Sequence, residues 1–263
     1  MGAKTGVLVY ADGDARAALR RVRACQADIG ATTDLVRLLR PGWPLEAVDG
    51  DTLGEAAYPP DGVAYAAAFP GIDIVCDRRL MLDYPSQMPE HLVEAGRGRT
   101  MALHAMHSVV DWLAFAVWVD GRLVRSLSLS PDGGIVEDIG ERLPFETAYW
   151  AGERPVEPEP RWDDDEPYAL PFHPLELGEE ALRALFGFVL EGRLDPDGVN
   201  PDDIQLHGYR LTDPDAAARA AEQARLIDQM RRIGPRRFGF GPEGRLVERS
   251  GPGGTTVRDM PQE

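Results

Sequence analysis

The segment from Val110 to Ser130 constrains the fold more than any other part of the chain. It reads VDWLAFAVWV, then Asp120 and Gly121, then RLVRSLSLS. An Asp-Gly pair between two runs of strand-forming residues is typical of a tight hairpin, because both turn positions need a positive φ. The sequence therefore predicts an antiparallel β-hairpin in the middle of the chain.

The register of this hairpin predicts which side chains share a face. If Val119 lies opposite Arg122, every pair of opposite residues has position numbers that sum to 241. In that register one face carries Trp118, Ala116 and Ala114 together with Leu123, Arg125 and Leu127. Both faces then carry apolar residues, which predicts that the two strands lie inside the sheet.

Arg125 stands out because it interrupts an apolar face of this hairpin. A guanidinium in such a place needs a carboxylate or a bound anion. Two interpretations are open: a structural ion pair with Glu137, Asp138 or Glu146, or an anchor for an acidic ligand. In the second interpretation Arg78 and Arg79, which follow the strand-like IDIVCD run, would contribute to the same ligand-binding site.

Short apolar runs on both sides of the hairpin predict the rest of the fold. Strand patterns occur at residues 6–11, 63–69, 72–77 and 204–211, and TMALHAMH and IVEDIG extend the hairpin into a meander over residues 100–139. Helical patterns occur at residues 15–25, from a cap at Thr33 or Asp34 to about residue 41, and at 182–190. The predicted fold class is α+β, with a central, mostly antiparallel sheet covered by helices.

The domain organisation follows from changes of composition along the chain. We predict a single α+β domain over residues 1–211, a C-terminal helical extension over 212–235 and a largely disordered tail over 236–263. Residues 155–171 are rich in proline and acidic residues, which predicts a loop.

The stretch LHAMHSVVDW contains a candidate metal site formed by His104, His107 and Asp111. On a helix these three side chains would lie on one face and bind a divalent metal. On a strand His104 and His107 point to opposite faces, unless a bulge or turn at Ser108 brings them together. Val109, Val110 and Trp112 favour a strand, and we predict no bound cofactor, with a divalent metal as the alternative.

VLVYADGDA, a strand that ends in Asp12 and Asp14, is a candidate catalytic motif. Phosphatases of the haloacid-dehalogenase type place a nucleophilic and an acid/base aspartate in this arrangement. That family expects Thr or Val where Ala15 stands, and a downstream lysine that the chain lacks, since Lys4 is its only lysine. A turn and a helix cap explain the same residues without chemistry. Together with Asp111, these aspartates are the catalytic candidates.

The net charge of −16 limits the classes of partner. Residues 137–203 hold 19 acidic residues against five arginines, so the charge is concentrated there. Such a surface repels nucleic acids and anionic membranes, and we expect neither as a partner. No signal-peptide pattern is present, and Cys25 and Cys76 form no disulfide framework, which favours a cytoplasmic protein.

Several long motifs resemble an uncharacterised actinobacterial family known only as a domain of unknown function. They are MGAKTGVLVYADGD, YPPDGVAYAAAFPGIDIVCDRRLMLDYPS, LHAMHSVVDWLAFAVWVDGRLVRSLSLSPDGGIVEDIGERLPFE and LPFHPLELGEEALRALFGFVLEG, and the resemblance covers residues 1–211. It implies an intracellular bacterial α+β protein, with no activity or catalytic residues to carry over.

Two functions remain open on the sequence. The leading hypothesis is a binding or regulatory protein, not an enzyme, which contacts another protein through the acidic region 137–203. The alternative is a metal-dependent hydrolase or a protein that binds a small anionic ligand through the Asp, His and Arg candidates. The hydrolase requires these side chains to converge on one reacting group. The oligomeric state is left open.

Overall fold

The computed structural model describes residues 3–23, 25–156, 168–192, 195–233, 237–240 and 246–249. It divides the chain into two compact units, residues 1–212 and 213–263. The first unit is built on one antiparallel sheet of nine strands, in the order β2-β9-β3-β4-β1-β5-β6-β7-β8. The strands are β1 (Lys4–Ala11), β2 (Leu45–Thr52), β3 (Val63–Phe69), β4 (Ile72–Cys76), β5 (Thr100–His107), β6 (Trp112–Val119), β7 (Arg122–Ser130), β8 (Gly134–Gly140) and β9 (Gln205–Leu211).

Helices cover both faces of this sheet, and we name each face after its longest helix. The helices of the first unit are α1 (Ala15–Val22), α2 (Ile29–Leu39), α3 (Leu53–Ala56), α4 (Glu90–Ala95), α5 (Thr147–Trp150) and α6 (Pro174–Phe186). On the α6 face, α1 and α6 pack on alternate residues of β1 and β4, such as Val7 and Ile74. On the α2 face, α2 and α4 pack on the intervening residues of the same two strands, such as Leu8 and Val75. The predicted α+β class is confirmed.

The central meander is also confirmed, as β5 to β8 follow one another in the sheet. Asp120 and Gly121 both have positive φ, 52° and 72°, as the predicted tight turn requires. Val119 lies opposite Arg122 and Trp118 opposite Leu123, in the predicted register.

The predicted register is wrong beyond this point. Val124 is an extra residue, and Arg125 lies opposite Val117 instead of Ala116. A one-residue bulge moves every later side chain of the strand to the other face. Arg125 therefore lies on the α6 face beside Phe115, not beside the two alanines. Gly140 makes room for the bulge, because a Cβ there would lie 1.9 Å from the Val124 carbonyl oxygen.

The helix boundaries follow capping chemistry. Asp14 caps α1 by accepting a hydrogen bond from the Ala17 N–H. Asp28 caps α2 in the same way, so the helix begins before the predicted cap at Thr33 or Asp34. Gly187, with φ of +84°, ends α6 in the left-handed conformation that favours glycine.

The second unit contains helix α7 (Ala216–Ile233) and an antiparallel pair of strands, β10 (Arg237–Phe240) and β11 (Leu246–Arg249). This helix lies within residues 212–235, for which the sequence predicts a C-terminal helical extension. The two strands fall within residues 236–263, where the sequence predicts a largely disordered tail. Residues 250–263 of that tail, and most of the acidic loop at 155–171, lie outside the described residues.

Candidate functional site

The histidines of LHAMHSVVDW lie on opposite faces of the sheet. His104 is fully buried on the α6 face, where Nδ1 is 2.8 Å from the Thr5 hydroxyl and Nε2 is 3.0 Å from the Gly178 carbonyl oxygen. Burial lowers the pKa of His104 to about 4, so the ring is neutral at pH 7. His107 is the last residue of β5 and lies on the α2 face. Strand alternation therefore separates the two rings.

Asp111, the third metal candidate, lies in the turn between β5 and β6. Its φ is +46°, a conformation that aspartate tolerates in turns. Nε2 of His173 lies 3.8 Å from the Asp111 carboxylate. Within the ranges that the structure describes, no group of three or more His, Cys, Asp or Glu side chains could hold a metal ion.

The two catalytic candidates after β1 have structural partners. Asp14 is the cap of α1. The Asp12 carboxylate lies 2.8 Å from Nε of Arg99, which also pairs with Asp73 and donates to the Tyr10 carbonyl oxygen. The structure does not bring Asp12 and Asp14 together with His104, His107 or Asp111.

Arg125 is fully buried and has the ion pair that the sequence offers as one interpretation. Glu146, also fully buried, accepts hydrogen bonds from Nε at 2.8 Å and from Nη2 at 2.6 Å. Nη1 donates to the Asp138 carboxylate and to the carbonyl oxygens of Ser126 and Ile139. Each of the three guanidinium nitrogens therefore has an acceptor within the protein, without a ligand.

Arg78, by contrast, lies with His107 in a cationic cluster that we name the Tyr58 cluster. It consists of Lys4, Tyr58, Arg78 and His107. The Arg78 guanidinium lies 4.3 Å from the centre of the Tyr58 ring, and the Lys4 ammonium lies 5.4 Å from it. The His107 ring meets Tyr58 edge to face, with centres 6.0 Å apart. Two residues that the sequence assigns to different candidate sites therefore share one surface.

Antiparallel pairing places these side chains together. Lys4 begins β1 and lies directly opposite His107 at the end of β5, so both side chains point to the α2 face. β4 lies on the other side of β1, and Arg78 follows its last residues. Arg79, the third ligand candidate, lies on the Trp43 ring instead, 4.4 Å from its centre.

The electrostatics of the Tyr58 cluster favour an anion. Partial burial lowers the pKa of His107, and the positive charges of Lys4 and Arg78 lower it further. The one ion pair that the structure gives to the cluster joins Arg78 to Asp61 at 3.2 Å, and the Asp61 side chain is 85% exposed. Arg78 Nε is buried without a hydrogen-bond partner. The Val109 N–H donates to Nδ1 of His107, which leaves Nε2 as the nitrogen that can donate to a ligand.

Sequence reasoning missed Lys4 and Tyr58. Tyr58 lies in the turn YPPDG, where nothing local relates it to residue 78 or 107. Lys4 is conspicuous as the only lysine, but its significance depends on its neighbour across the sheet, a residue more than one hundred positions away. Strand pairing is the information that the sequence lacks.

The fold and this cluster define the chain as an α+β protein with a half-buried cationic surface at one end of an antiparallel sheet. The chain belongs to the family of unknown function DUF6928, whose family model matches residues 5–209. Comparison with curated proteins finds no match, and neither does comparison with solved structures. Among the described residues, the helices are too short or too polar to span a membrane.

Proposed function

We propose that this protein is a cytoplasmic binding protein that recognises a small anion at the Tyr58 cluster. The observation that carries the proposal is the convergence of Lys4, Arg78 and His107 on one aromatic ring, with a single exposed carboxylate, Asp61, as ionic partner. An anion bound there would gain charge-assisted hydrogen bonds from three different side chains.

The environment of the candidate catalytic groups supports binding over hydrolysis. A hydrolase needs a nucleophile or base within hydrogen-bond reach of a reacting group. Asp14 is a helix cap, Asp12 is paired with Arg99, and the His104 ring is enclosed by Thr5 and Gly178. None of these contacts leads to the Tyr58 cluster, whose own side chains are donors of hydrogen bonds.

The state of the two cysteines supports the proposed compartment. Cys25 and Cys76 are both free thiols, Cys25 exposed and Cys76 buried. Reduced thiols are the rule in the cytoplasm.

Titration with inorganic sulfate tests the proposed site, because sulfate keeps its charge of −2 between pH 5 and pH 8. Binding is followed by NMR of the His107 imidazole, with chloride at equal ionic strength as the reference. We expect sulfate to raise the pKa of His107, since a nearby anion favours the protonated ring. By linkage, sulfate affinity should increase as the pH falls towards the pKa of His107, which burial holds below the ordinary histidine value of about 6.5 in the free protein.

Three substitutions locate the effect. Lys4→Gln and Arg78→Gln should each weaken sulfate binding, and His107→Gln should abolish its pH dependence. Arg21→Gln is the matched control, because Arg21 is an exposed arginine on α1, away from the cluster. Equal sulfate affinity in wild type, Lys4→Gln and Arg78→Gln would contradict the proposal.

Contact with a basic protein partner through the acidic region 137–203 is a second proposal, supported by the local charge of that region. Deletion of residues 162–166, which lie outside the described residues, should leave the fold intact and weaken a pull-down of the partner. An unchanged partner list would count against it.

A further inference from the structure

Helix α1 carries a second concentration of positive charge, on the opposite face of the sheet from the Tyr58 cluster. Arg16 and Arg20 belong to the helix and Arg23 is its C-cap, and their spacing of four and three residues places them on one side. They face the loop Asp195–Gly198 across an open cleft of about 690 Å³. We name this space the α1 cleft.

The carboxylates of Asp195 and Asp197 line the cleft against three guanidinium groups, so its described lining keeps a net positive charge. Arg16 approaches the Asp195 carboxylate only at 3.7 Å, and its Nε is buried without a hydrogen-bond partner. Arg20 donates to the backbone carbonyl oxygen of Asp197, which carries no formal charge. For Arg23 the described residues provide neither an ion pair nor a hydrogen bond.

The walls of the cleft are fixed by packing and by backbone hydrogen bonds. Gly187 gives Arg16 its place, because a Cβ there would lie 2.6 Å from Cγ of that side chain. The Gly198 N–H donates to the Asp195 carbonyl oxygen, and the Val199 N–H donates to the Gly187 carbonyl oxygen. These bonds close the loop on itself and tie it to the end of α6, and Arg20 connects it to α1 through the Asp197 carbonyl oxygen.

The helix dipole favours arginines in the last turn of a helix, but it does not explain why three arginines line the same cleft. Arg21 serves the dipole as well as Arg20 does, yet it lies outside the cleft. The cleft collects three guanidinium groups in a chain of net charge −16. A structural role at the helix end does not require that arrangement.

The shape of the cleft selects the class of anion. Arg16 and Arg23 are separated by about 10 Å along the helix axis, further than a single phosphate group extends. Guanidinium groups match phosphate oxygens in geometry and charge. No aromatic side chain lines the described walls, so a nucleobase would have no ring to stack on. We propose that the α1 cleft binds an elongated phosphate anion, a diphosphate or triphosphate chain, independently of the Tyr58 cluster.

Calorimetric titration of the full chain with tripolyphosphate, pyrophosphate and orthophosphate at pH 7.5 and equal ionic strength tests this inference. Affinity should fall in that order, since a shorter chain reaches fewer arginines. Arg20→Gln and Arg23→Gln should each weaken tripolyphosphate binding about tenfold, the loss expected for one charge-assisted hydrogen bond. Both residues are exposed, so the fold tolerates the substitutions.

Two further variants separate the cleft from general charge effects. Arg21→Gln removes the same charge from the same helix outside the cleft, and it should leave the affinity unchanged. Asp197→Asn removes a competing carboxylate but keeps the carbonyl oxygen that Arg20 uses, and it should tighten binding. The inference is overturned if orthophosphate binds as tightly as tripolyphosphate, or if Arg21→Gln weakens binding as much as Arg23→Gln does. If Lys4→Gln loses binding and Arg23→Gln does not, tripolyphosphate binds at the Tyr58 cluster. That result would also overturn the inference.

Discussion

Replacing Glu146 by glutamine should be among the most destabilising single-atom changes in this protein. Its carboxylate accepts four hydrogen bonds: two from Arg125, one from the Leu143 N–H at 2.8 Å and one from Trp150 Nε1 at 3.2 Å. A glutamine amide replaces one acceptor oxygen by an NH₂ group, which then faces donors. The substitution also leaves Arg125 fully buried with Asp138 as its only carboxylate partner.

The expected loss follows from the burial of this pair. Breaking a buried ion pair by removal of one partner costs about 3–5 kcal/mol, because the other charge stays buried with too few partners. For a unit of this size, that loss corresponds to a decrease of the melting temperature by about 6–20 °C. Urea unfolding at pH 7, followed by far-ultraviolet circular dichroism, measures it directly.

An exposed ion pair in the same sheet provides the control. Glu46 lies 3.0 Å from Arg210, and both side chains are more than half exposed. Glu46→Gln should therefore cost less than about 1 kcal/mol. The double replacement Arg125→Leu with Glu146→Leu should recover part of the loss, since it leaves no fully buried charge and the unpaired Asp138 carboxylate is about 35% exposed. If Glu146→Gln costs no more than Glu46→Gln, the buried pair does not stabilise the fold in the way we describe.

Two further predictions concern the pH dependence and the bulge. Because burial lowers the folded-state pKa of His104 to about 4, the unfolded chain takes up a proton first as the pH falls from about 6.5. Stability should then decrease by up to about 3 kcal/mol between pH 6.5 and pH 4, and urea unfolding of His104→Gln should lack that part of the slope. Equal slopes in both proteins would contradict it. Gly140→Ala should cost more than about 2 kcal/mol, since the new Cβ would meet the Val124 carbonyl oxygen. Gly152→Ala has a similar positive φ with open space around it, and should cost only about 1 kcal/mol in the same assay.

The parts of the fold that the sequence predicts are those with local signals. The Asp120-Gly121 turn and the two runs beside it fix the meander, because a tight turn forces neighbouring strands to pair. The sequence does not predict strand β2, because its residues LEAVDGDT are acidic and include a glycine. It is a strand only because it pairs with β9 at the edge of the sheet, where charged residues also protect against pairing with other chains.

The position of Arg125 shows why non-local packing limits such predictions. The hairpin turn alone predicts its register, and that register holds for two pairs. The bulge at Val124 depends on Gly140, which belongs to another strand and gives the carbonyl oxygen room. No pattern within residues 110–130 contains that information. The sequence nevertheless predicts an ion pair with Glu146 as one interpretation, because a buried guanidinium needs a carboxylate or an anion nearby.

The candidate site depends on strand order in the same way. β1 lies between β4 and β5 and is antiparallel to both, so the start of β1 lies near the ends of both neighbours. Lys4, Arg78 and His107 therefore come together although they are widely separated in sequence. If β1 were at the edge of the sheet, it would have only one neighbouring strand. Either Arg78 or His107 would then lie away from Lys4. The sequence supplies the residue types for an anion site, and the order of the strands determines that they share one.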